Sequence, residues 1–349
     1  MLEKLKNKLS NDIGIDLGTA NTLVYVRGLG IVIDEPSVVA INVKTDRMVA
    51  VGSEAKQMMG RTPTHIKCVK PIVDGVISDY EITEEMLGYL IKKANNINKK
   101  FLAPRVVVGV PVGITNVETR AVYDAAIAAG AREVYIVEEP MAAAIGVQMP
   151  VHDAEGSMIV DLGGGTTDIA VISLSGIVKA KSIKVAGDKL IQDIVNFVKD
   201  EYKIVIGDKT AEDIKIQIGS AMPVGDDESM SIKGRDIATG LPKEIKINDN
   251  DIRKAMYHSV SLIVDSIKEV LEMTPPEVLS DIMQKGIVLA GGGALIRGIS
   301  ELMEMQIKVP IHICDEPLTA VARGCGTILE DVHKYKNVLI EDKNEIAIR

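Results

Sequence analysis

The sequence predicts an α/β protein of two duplicated lobes. Each lobe is a mixed sheet flanked by helices, each carries a smaller inserted subdomain, and a cleft lies between them. Three observations carry this expectation. An eight-residue phrase occurs twice, 145 residues apart: Ile15-Asp16-Leu17-Gly18-Thr19-Ala20-Asn21-Thr22 aligns without a gap on Val160-Asp161-Leu162-Gly163-Gly164-Gly165-Thr166-Thr167, with four identities and a conservative Ile/Val match. Each copy lies between apolar runs, Ile13-Gly14-Ile15 and Leu23-Val24-Tyr25-Val26 in the first, Met158-Ile159-Val160 and Ile169-Ala170-Val171-Ile172 in the second; this reads as strand, glycine turn, strand. Residues 106–146 alternate strand and helix, the rhythm of a sheet covered by helices. A chain of 349 residues, 46% hydrophobic, is long enough to bury two such cores.

The elements follow in order. Residues 1–10, Met1-Leu2-Glu3-Lys4-Leu5-Lys6-Asn7-Lys8-Leu9-Ser10, place Leu2, Leu5 and Leu9 on one helical face and add Lys4, Lys6 and Lys8. A basic amphipathic segment of this kind reads as a membrane-surface anchor, with a solvated tail as the plain alternative. Ten residues are too few for a stable helix in water, so the helix is expected to form on lipid. The first lobe is placed at 11–145, with its small subdomain at about 32–74. Phe101-Leu102, just before Pro104, is either a second lipid contact or the buried end of the preceding helix. Val106-Val107-Val108-Gly109-Val110 is a strand. Thr115 and Glu118 have capping-box spacing and open an alanine-rich helix that ends at Gly130. Glu133 to Val137 is the next strand, and Pro140 opens the next helix. The second lobe is placed at 146–315, with its small subdomain at about 180–247. There Met222 to Glu228 reads as an exposed loop, and Ser231-Ile232-Lys233 with Glu244 to Ile247 as a hairpin. A helix over roughly 249–273 stops at Pro275-Pro276. Gly286 to Ala290 is a buried strand, Gly291-Gly292-Gly293 a turn, and Ala294-Leu295-Ile296-Arg297-Gly298 the start of a helix. Residues 316–349 return a helix to the first lobe and end in a charged tail, Glu341-Asp342-Lys343-Asn344-Glu345.

The chemistry concentrates in the glycine turns. Turn glycines let backbone N–H groups converge with no side chain in the way, and such concavities hold phosphate. Gly18, Thr19, Ala20 and Asn21 in one hairpin and Gly163, Gly164, Gly165 and Thr166 in the other are therefore candidates to grip one phosphate chain from both sides. Gly291, Gly292, Gly293 and Ala294 would add a third backbone surface near a helix N-terminus. Asp16 and Asp161 end their strands in matched positions. Such residues commonly satisfy turn N–H groups, but the pairing favours a hydrated divalent cation, Mg²⁺ held through water. Glu139 stands between a strand end and Pro140, where a carboxylate is favoured by the helix dipole. Glu212 and Lys215, one helical turn apart, form at the simplest a surface pair worth at most about 0.5 kcal/mol. Gly187 and Asp188 follow a strand and are further candidates at the site.

Composition narrows the class. A net charge of −9 and a pI of about 5.2 argue against a nucleic-acid surface. No run approaches the roughly 18 apolar residues of a membrane span, and the basic N-terminus lacks the apolar stretch of a signal peptide. Cys68, Cys314 and Cys325 are scattered and read as reduced thiols. The five histidines show no zinc spacing with them, and there is no GxSxG or Cys-His arrangement for covalent catalysis.

The two Asp-Leu-Gly hairpins in order, followed by Ala290-Gly291-Gly292-Gly293-Ala294, resemble the actin-like ATPase superfamily. Gly14 to Thr22, Glu138-Glu139-Pro140-Met141-Ala142-Ala143-Ala144-Ile145-Gly146, Asp161 to Asp168 and Ala211 to Ser220 are most similar to its MreB family of bacterial actins. The resemblance runs from about residue 11 to about residue 335. It implies the actin-like fold, with duplicated ribonuclease-H-like cores and the nucleotide in the interlobe cleft. It implies ATP with Mg²⁺, slow hydrolysis to ADP and phosphate, Glu139 orienting the attacking water with help from Thr166, and Glu212 and Lys215 contacting the adenosine. It further implies a cytoplasmic protein, peripheral on the inner face of the cytoplasmic membrane, polymerising in antiparallel double protofilaments, with MreC, MreD and RodZ as partners in cell-wall growth and rod shape. The alternative within the superfamily is a non-polymerising ATPase, chaperone-type or a small-molecule kinase; no substrate-binding domain follows the second lobe and no sugar pocket is evident in the sequence.

Overall fold

The structure is a computed structural model that describes residues 10–97, 102–225 and 228–340. Leu2, Leu5, Leu9, Phe101 and the tail beyond residue 340 lie outside the described residues.

The first lobe runs β1 (Ile13–Leu17), β2 (Asn21–Val26), β3 (Gly30–Pro36), β4 (Val39–Asn42), β5 (Arg47–Val51), α1 (Ser53–Met58), β6 (Ile66–Val69), β7 (Ile72–Val73), β8 (Val76–Ile77), α2 (Tyr80–Ile97), β9 (Arg105–Val110), α3 (Asn116–Ala128), β10 (Glu133–Glu138) and α4 (Glu139–Gly146). The second runs β11 (Ser157–Leu162), β12 (Thr167–Ser173), β13 (Gly176–Ile183), α5 (Gly187–Tyr202), β14 (Ile204–Val205), α6 (Asp208–Ile218), β15 (Ser229–Asp236), β16 (Pro242–Asn248), α7 (Asp249–Glu272), α8 (Pro276–Lys285), β17 (Ile287–Ala290), α9 (Ile299–Ile307) and β18 (Ile311–Ile313). The chain then returns through α10 (Ala320–Glu330).

The duplication extends from the hairpin to the whole sheet. The first sheet is ordered β10-β9-β1-β2-β3, and the second, read the same way, β18-β17-β11-β12-β13. In each, the glycine hairpin is antiparallel and the strand beside it is parallel, so Asp16 lies in register with Gly109 and Asp161 with Ala290. β1 and β11 are almost wholly buried, as their near-continuous apolar runs require of central strands covered on both faces. The repeated threonines also match: Thr22 and Thr167 are fully buried, and each hydroxyl ties its hairpin to the next segment, Thr22 to the Ser37 hydroxyl (2.9 Å) and Thr167 to the Val185 carbonyl (2.7 Å).

The expected capping box at Thr115 and Glu118 is formed, α7 and the Pro275-Pro276 break fall where the sequence places them, and β15 pairs with β16. Two expectations need correction. The Gly291-Gly292-Gly293 turn does not run into a helix at Ala294. It forms a short 3₁₀ turn, Gly292–Leu295, and the helix begins only at Ile299, because Gly291 and Gly298 take positive φ (76° and 74°) and interrupt regular winding. The main sheets also take in residues 32–36 and 180–183, which the small subdomains at about 32–74 and 180–247 included; β3 and β13 pair with β2 and β12. The small sheets that remain are β5-β4-β6 and β14-β15-β16.

Each lobe has its own apolar core, and a third cluster joins them. It is built from α4 and α10 together with Val107 and Val137 of one sheet and Ile159 and Ala170 of the other. The two helices cross at glycines: a Cβ on Gly324 would fall 1.8 Å from the Ala142 carbonyl oxygen, and one on Gly146 2.0 Å from that of Ala320. Backbones pressed this closely make a tight base for the cleft. Cys325 of α10 lies buried there, its thiol 3.7 Å from the Ile15 carbonyl, and the three cysteines are unpaired.

Candidate functional site

Because β1 and β11 both end at the cleft, their hairpins face each other across it. They meet tip to tip. A Cβ on Gly164 would come 2.6 Å from the Ala20 methyl, and one on Gly165 2.4 Å from the Thr19 hydroxyl. The third turn packs on the second hairpin, where a Cβ on Gly291 would lie 2.3 Å from Asp161 Oδ1 and one on Gly293 2.7 Å from Leu162 Cβ. The N-terminus of α5 closes the floor, with the Gly187 and Asp188 amides donating to the Gly163 and Gly164 carbonyls at 3.1 and 2.8 Å.

A cavity of about 460 Å³ opens between these turns. It is lined by Gly18, Thr19, Ala20 and Asn21 from one hairpin, Gly163, Gly164, Gly165 and Thr166 from the other, and Gly291, Gly292 and Gly293 from the third turn. Asp16, Asp161, Glu139, Gly187, Asp188, Glu212 and Lys215 also face it. Of the residues the sequence nominates for the cleft, Ala294 alone is not on this wall; it is fully buried behind the turn in the second lobe's core. Nucleotide-sized ligands fit a cavity of several hundred cubic ångströms.

Its electrostatics are dominated by buried acids. Burial, reinforced by Asp34, pushes the Asp16 carboxyl up to about 7. Burial, then Asp16 and Asp168, hold that of Asp161 well above the usual range. Glu139 is likewise raised, first by burial and then by Asp168, Asp16 and Asp161. Asp168 is 1% exposed and accepts a 2.8 Å hydrogen bond from the Val112 amide of the other lobe. So many carboxyl groups in one low-dielectric pocket call for a cation. Among the described residues, no three acidic, histidine or cysteine side chains converge closely enough to enclose a bare ion. A cation here would need water and phosphate oxygens among its ligands, and an all-oxygen donor set of this kind suits Mg²⁺.

Several side chains do something other than expected. The Asn21 amide donates to Asp34 (2.8 Å), so it braces β2 against β3. The Thr19 hydroxyl accepts from the Gly75 amide (3.0 Å). Glu212 does not make the simple pair with Lys215; its carboxylate meets Lys56 of the first lobe at 2.9 Å. The Lys215 ammonium lies 3.3 Å from the Gly187 carbonyl, and burial lowers its pKa. β10 ends at Glu138, and Glu139 begins α4, which turns the Glu139 side chain into the cavity. Asp34, Lys56 and Lys70 lie outside the glycine motifs, and the sequence gives no sign of them; Asp168 ends the Asp161 to Asp168 phrase, but nothing there shows its bond to the other lobe. The apolar wall formed by Ile216, Leu295, Ile296, Pro317 and Leu318 is equally silent, since it is assembled from three separate segments. Leu102, the described half of the suggested lipid pair, is 37% exposed and forms an isolated bridge with Ser10, so it is not a buried helix end.

Against known families, the model described as MreB/Mbl protein matches residues 10–337. The chain belongs to the MreB/Mbl family. It is 48% identical to the cell shape-determining protein MreB of Escherichia coli (strain K12) over 349 residues, covering 98% of this chain and all of that one. It is 47% identical to the cell shape-determining protein Mbl of Bacillus subtilis (strain 168), covering 93% and 97%. Among solved structures, MreB5 of Spiroplasma citri bound to ADP superposes with a TM-score of 0.87 at 42% identity, over 93% of this chain and 97% of that one; the same protein has also been solved bound to AMPPNP. A MamK double helical filament shares the fold, with a TM-score of 0.78 at 24% identity. The two-lobed actin-like fold expected from the hairpins is thus the fold of this MreB/Mbl protein. Among the described residues no helix is long and apolar enough to cross a membrane.

Proposed function

We propose that this MreB/Mbl protein binds ATP with Mg²⁺ in the interlobe cleft, hydrolyses it slowly, and couples that cycle to filaments on the inner face of the cytoplasmic membrane that organise cell-wall synthesis and rod shape. The observation that carries the reading is the convergence of both glycine hairpins, the third glycine turn and Glu139 on one cavity. The ADP- and AMPPNP-bound structures of the Spiroplasma relative support it.

Backbone N–H groups of the two hairpins bind the phosphate chain from opposite sides. The apolar wall around Ile216 and Leu318 takes the base, and Glu212 and Lys215 the sugar. Phosphoryl transfer asks the protein mainly for alignment and charge stabilisation. Glu139 aligns the attacking water, with the Thr166 hydroxyl beside it. Asp16 and Asp161 would hold Mg²⁺ through water, and the ion when bound would supply positive charge to offset both the phosphates and the acid cluster. The partners are other copies of the chain in antiparallel double protofilaments, the membrane through Leu2, Leu5 and Leu9, and MreC, MreD and RodZ.

Sedimentation with phosphate release after adding ATP and Mg²⁺ tests the core of this reading. Pelleting filaments with slow turnover support it; a monomer that transfers phosphate to a small acceptor would replace it with a kinase. Flotation with anionic vesicles tests the membrane part. Replacing Leu2 and Leu5 with Glu should abolish flotation and leave pelleting intact, because the nucleotide hairpins lie outside that segment.

A further inference from the structure

The base and the mouth of the cleft are held in different ways. The base is an apolar cluster shared by the two lobes, whereas the other clusters each stay within one lobe. At the mouth, ion pairs cross from the first lobe to the second. Lys56 of α1 meets both carboxylate oxygens of Glu212 on α6, at 3.2 and 2.9 Å. Lys70, just past β6, meets Asp188 in the first turn of α5 at 2.8 Å. Outside them Asp74, in the β7–β8 turn, lies 3.7 Å from Lys184. Glu212 and Asp188 line the cavity; Lys56 and Lys70 stand just beyond its wall.

We propose that Lys56 and Lys70 are positioning residues of the nucleotide site: paired with Glu212 and Asp188, they hold the small sheet of the first lobe down over a bound nucleoside phosphate and set its rate of release. The inference rests on the reading of the cleft as an ATP site. A nucleotide lying against the hairpins can leave only when the mouth opens, and opening separates these pairs. The Glu212 carboxylate has acceptor positions enough to hold Lys56 and a sugar hydroxyl together, so the latch closes on an occupied site as well as an empty one. Each pair is about one-third exposed on both sides, apart from the outer Asp74–Lys184 pair, which is more open. Such pairs are weak singly, shifting an equilibrium by roughly two- to fivefold, and they weaken as salt screens them. Two acting on one opening motion multiply.

The test is stopped-flow release of a fluorescent N-methylanthraniloyl-ADP from the full chain, chased with excess unlabelled ATP, at low and high salt. Wild-type release should accelerate with salt. Lys56→Gln/Lys70→Gln should release roughly tenfold faster at low salt and show a clearly shallower salt dependence, what remains coming from the outer Asp74–Lys184 pair, with unfolding temperature unchanged. A merely structural role for these lysines would lower the unfolding temperature and leave the salt slope in place. Labelled nucleotide bound by wild type but released by the double variant at the wild-type rate and slope overturns the latch alone. Failure of wild type to bind the nucleotide at all overturns the site reading, and the latch with it.

Discussion

The first glycine hairpin carries Thr19 and Ala20 where the second carries Gly164 and Gly165, and the two tips meet at those positions. The duplicated turns therefore differ in a complementary way: two side chains on one seat in a notch left by two glycines on the other. The shared glycines have a different task. A Cβ on Gly18 would lie 2.6 Å from the Asn21 carbonyl oxygen, and one on Gly163 2.9 Å from that of Thr166, so each is required by its own turn. On the proposed reading of the cleft, what the copies share makes a phosphate loop, and what they do not share lets two such loops close on one ligand.

The most damaging test of this comparison fills the notch. Gly165→Val should cost at least about a hundredfold in nucleotide affinity while retaining helical content by circular dichroism, because the Thr19 side chain cannot yield without moving its backbone. Thr19→Ser, on the other face, should stay within about twofold. The pair can be cycled: Thr19→Ala should restore part of the binding lost in Gly165→Ala. If the double variant binds no better than Gly165→Ala alone, the tips do not seat as described.

A second test asks whether the chemistry is shared between the hairpins. Thr166 and Asn21 hold equivalent positions but answer to different carboxylates: Asn21 to Asp34, and Thr166 to Asp168 within the buried acid cluster. Glu139→Ala should slow single-turnover phosphate release at least tenfold with binding nearly intact, a barrier change of about 1.4 kcal/mol or more. Thr166→Ala should slow it less, in the same direction, and Asn21→Ala should leave it within about twofold. Equal effects at Asn21 and Thr166 would make the two hairpins catalytically equivalent.

Asp161→Ala should weaken Mg²⁺-dependent nucleotide binding by about tenfold and leave Mg²⁺-free binding nearly unchanged, since a carboxylate that serves the cation matters only when the cation is present. Isothermal titration with and without chelator separates the two. Losses of the same size in both conditions would give Asp161 a folding role.

The parts legible in the sequence are those written in contiguous residues. The hairpin at Asp16-Leu17-Gly18, its copy at Asp161-Leu162-Gly163, the Thr115–Glu118 cap and the Pro275-Pro276 break each announce themselves within a few positions. The start of α9 was hidden because Gly291 and Gly298 could not be known to take positive φ. Lys56 and Lys70 were hidden for another reason: their partners are 156 and 118 residues away, and a lysine on a short helix or just past a strand looks like any solvated charge until the lobes are brought together. Asp168 reads as an ordinary strand residue, and only the Val112 amide of the opposite lobe shows that it bridges the cleft floor.

The smallest effect separates the two aspartates by pH. With its carboxyl near 7, Asp16 is mostly protonated in the empty cleft at pH 6 and mostly ionised at pH 8. A cation favours the ionised form, so binding the Mg²⁺–nucleotide releases a proton below pH 7 and must tighten as pH rises. The ionised fraction grows from about one-tenth to one-half between pH 6 and 7, which predicts about a fivefold gain in affinity over that unit. The empty protein moves the opposite way: a carboxyl raised on folding stabilises the fold below its ordinary range, and that contribution is lost as pH climbs through 7. Asp16→Asn should flatten the affinity gain between pH 6 and 7. Asp161→Asn should leave that segment in place, because the carboxyl that titrates near 7 is that of Asp16. Affinity measured at half-unit steps in both variants would decide it. If Asp161→Asn flattens the curve and Asp16→Asn does not, the proton released near neutrality belongs to the second hairpin, and the assignment of the two matched carboxylates must be exchanged.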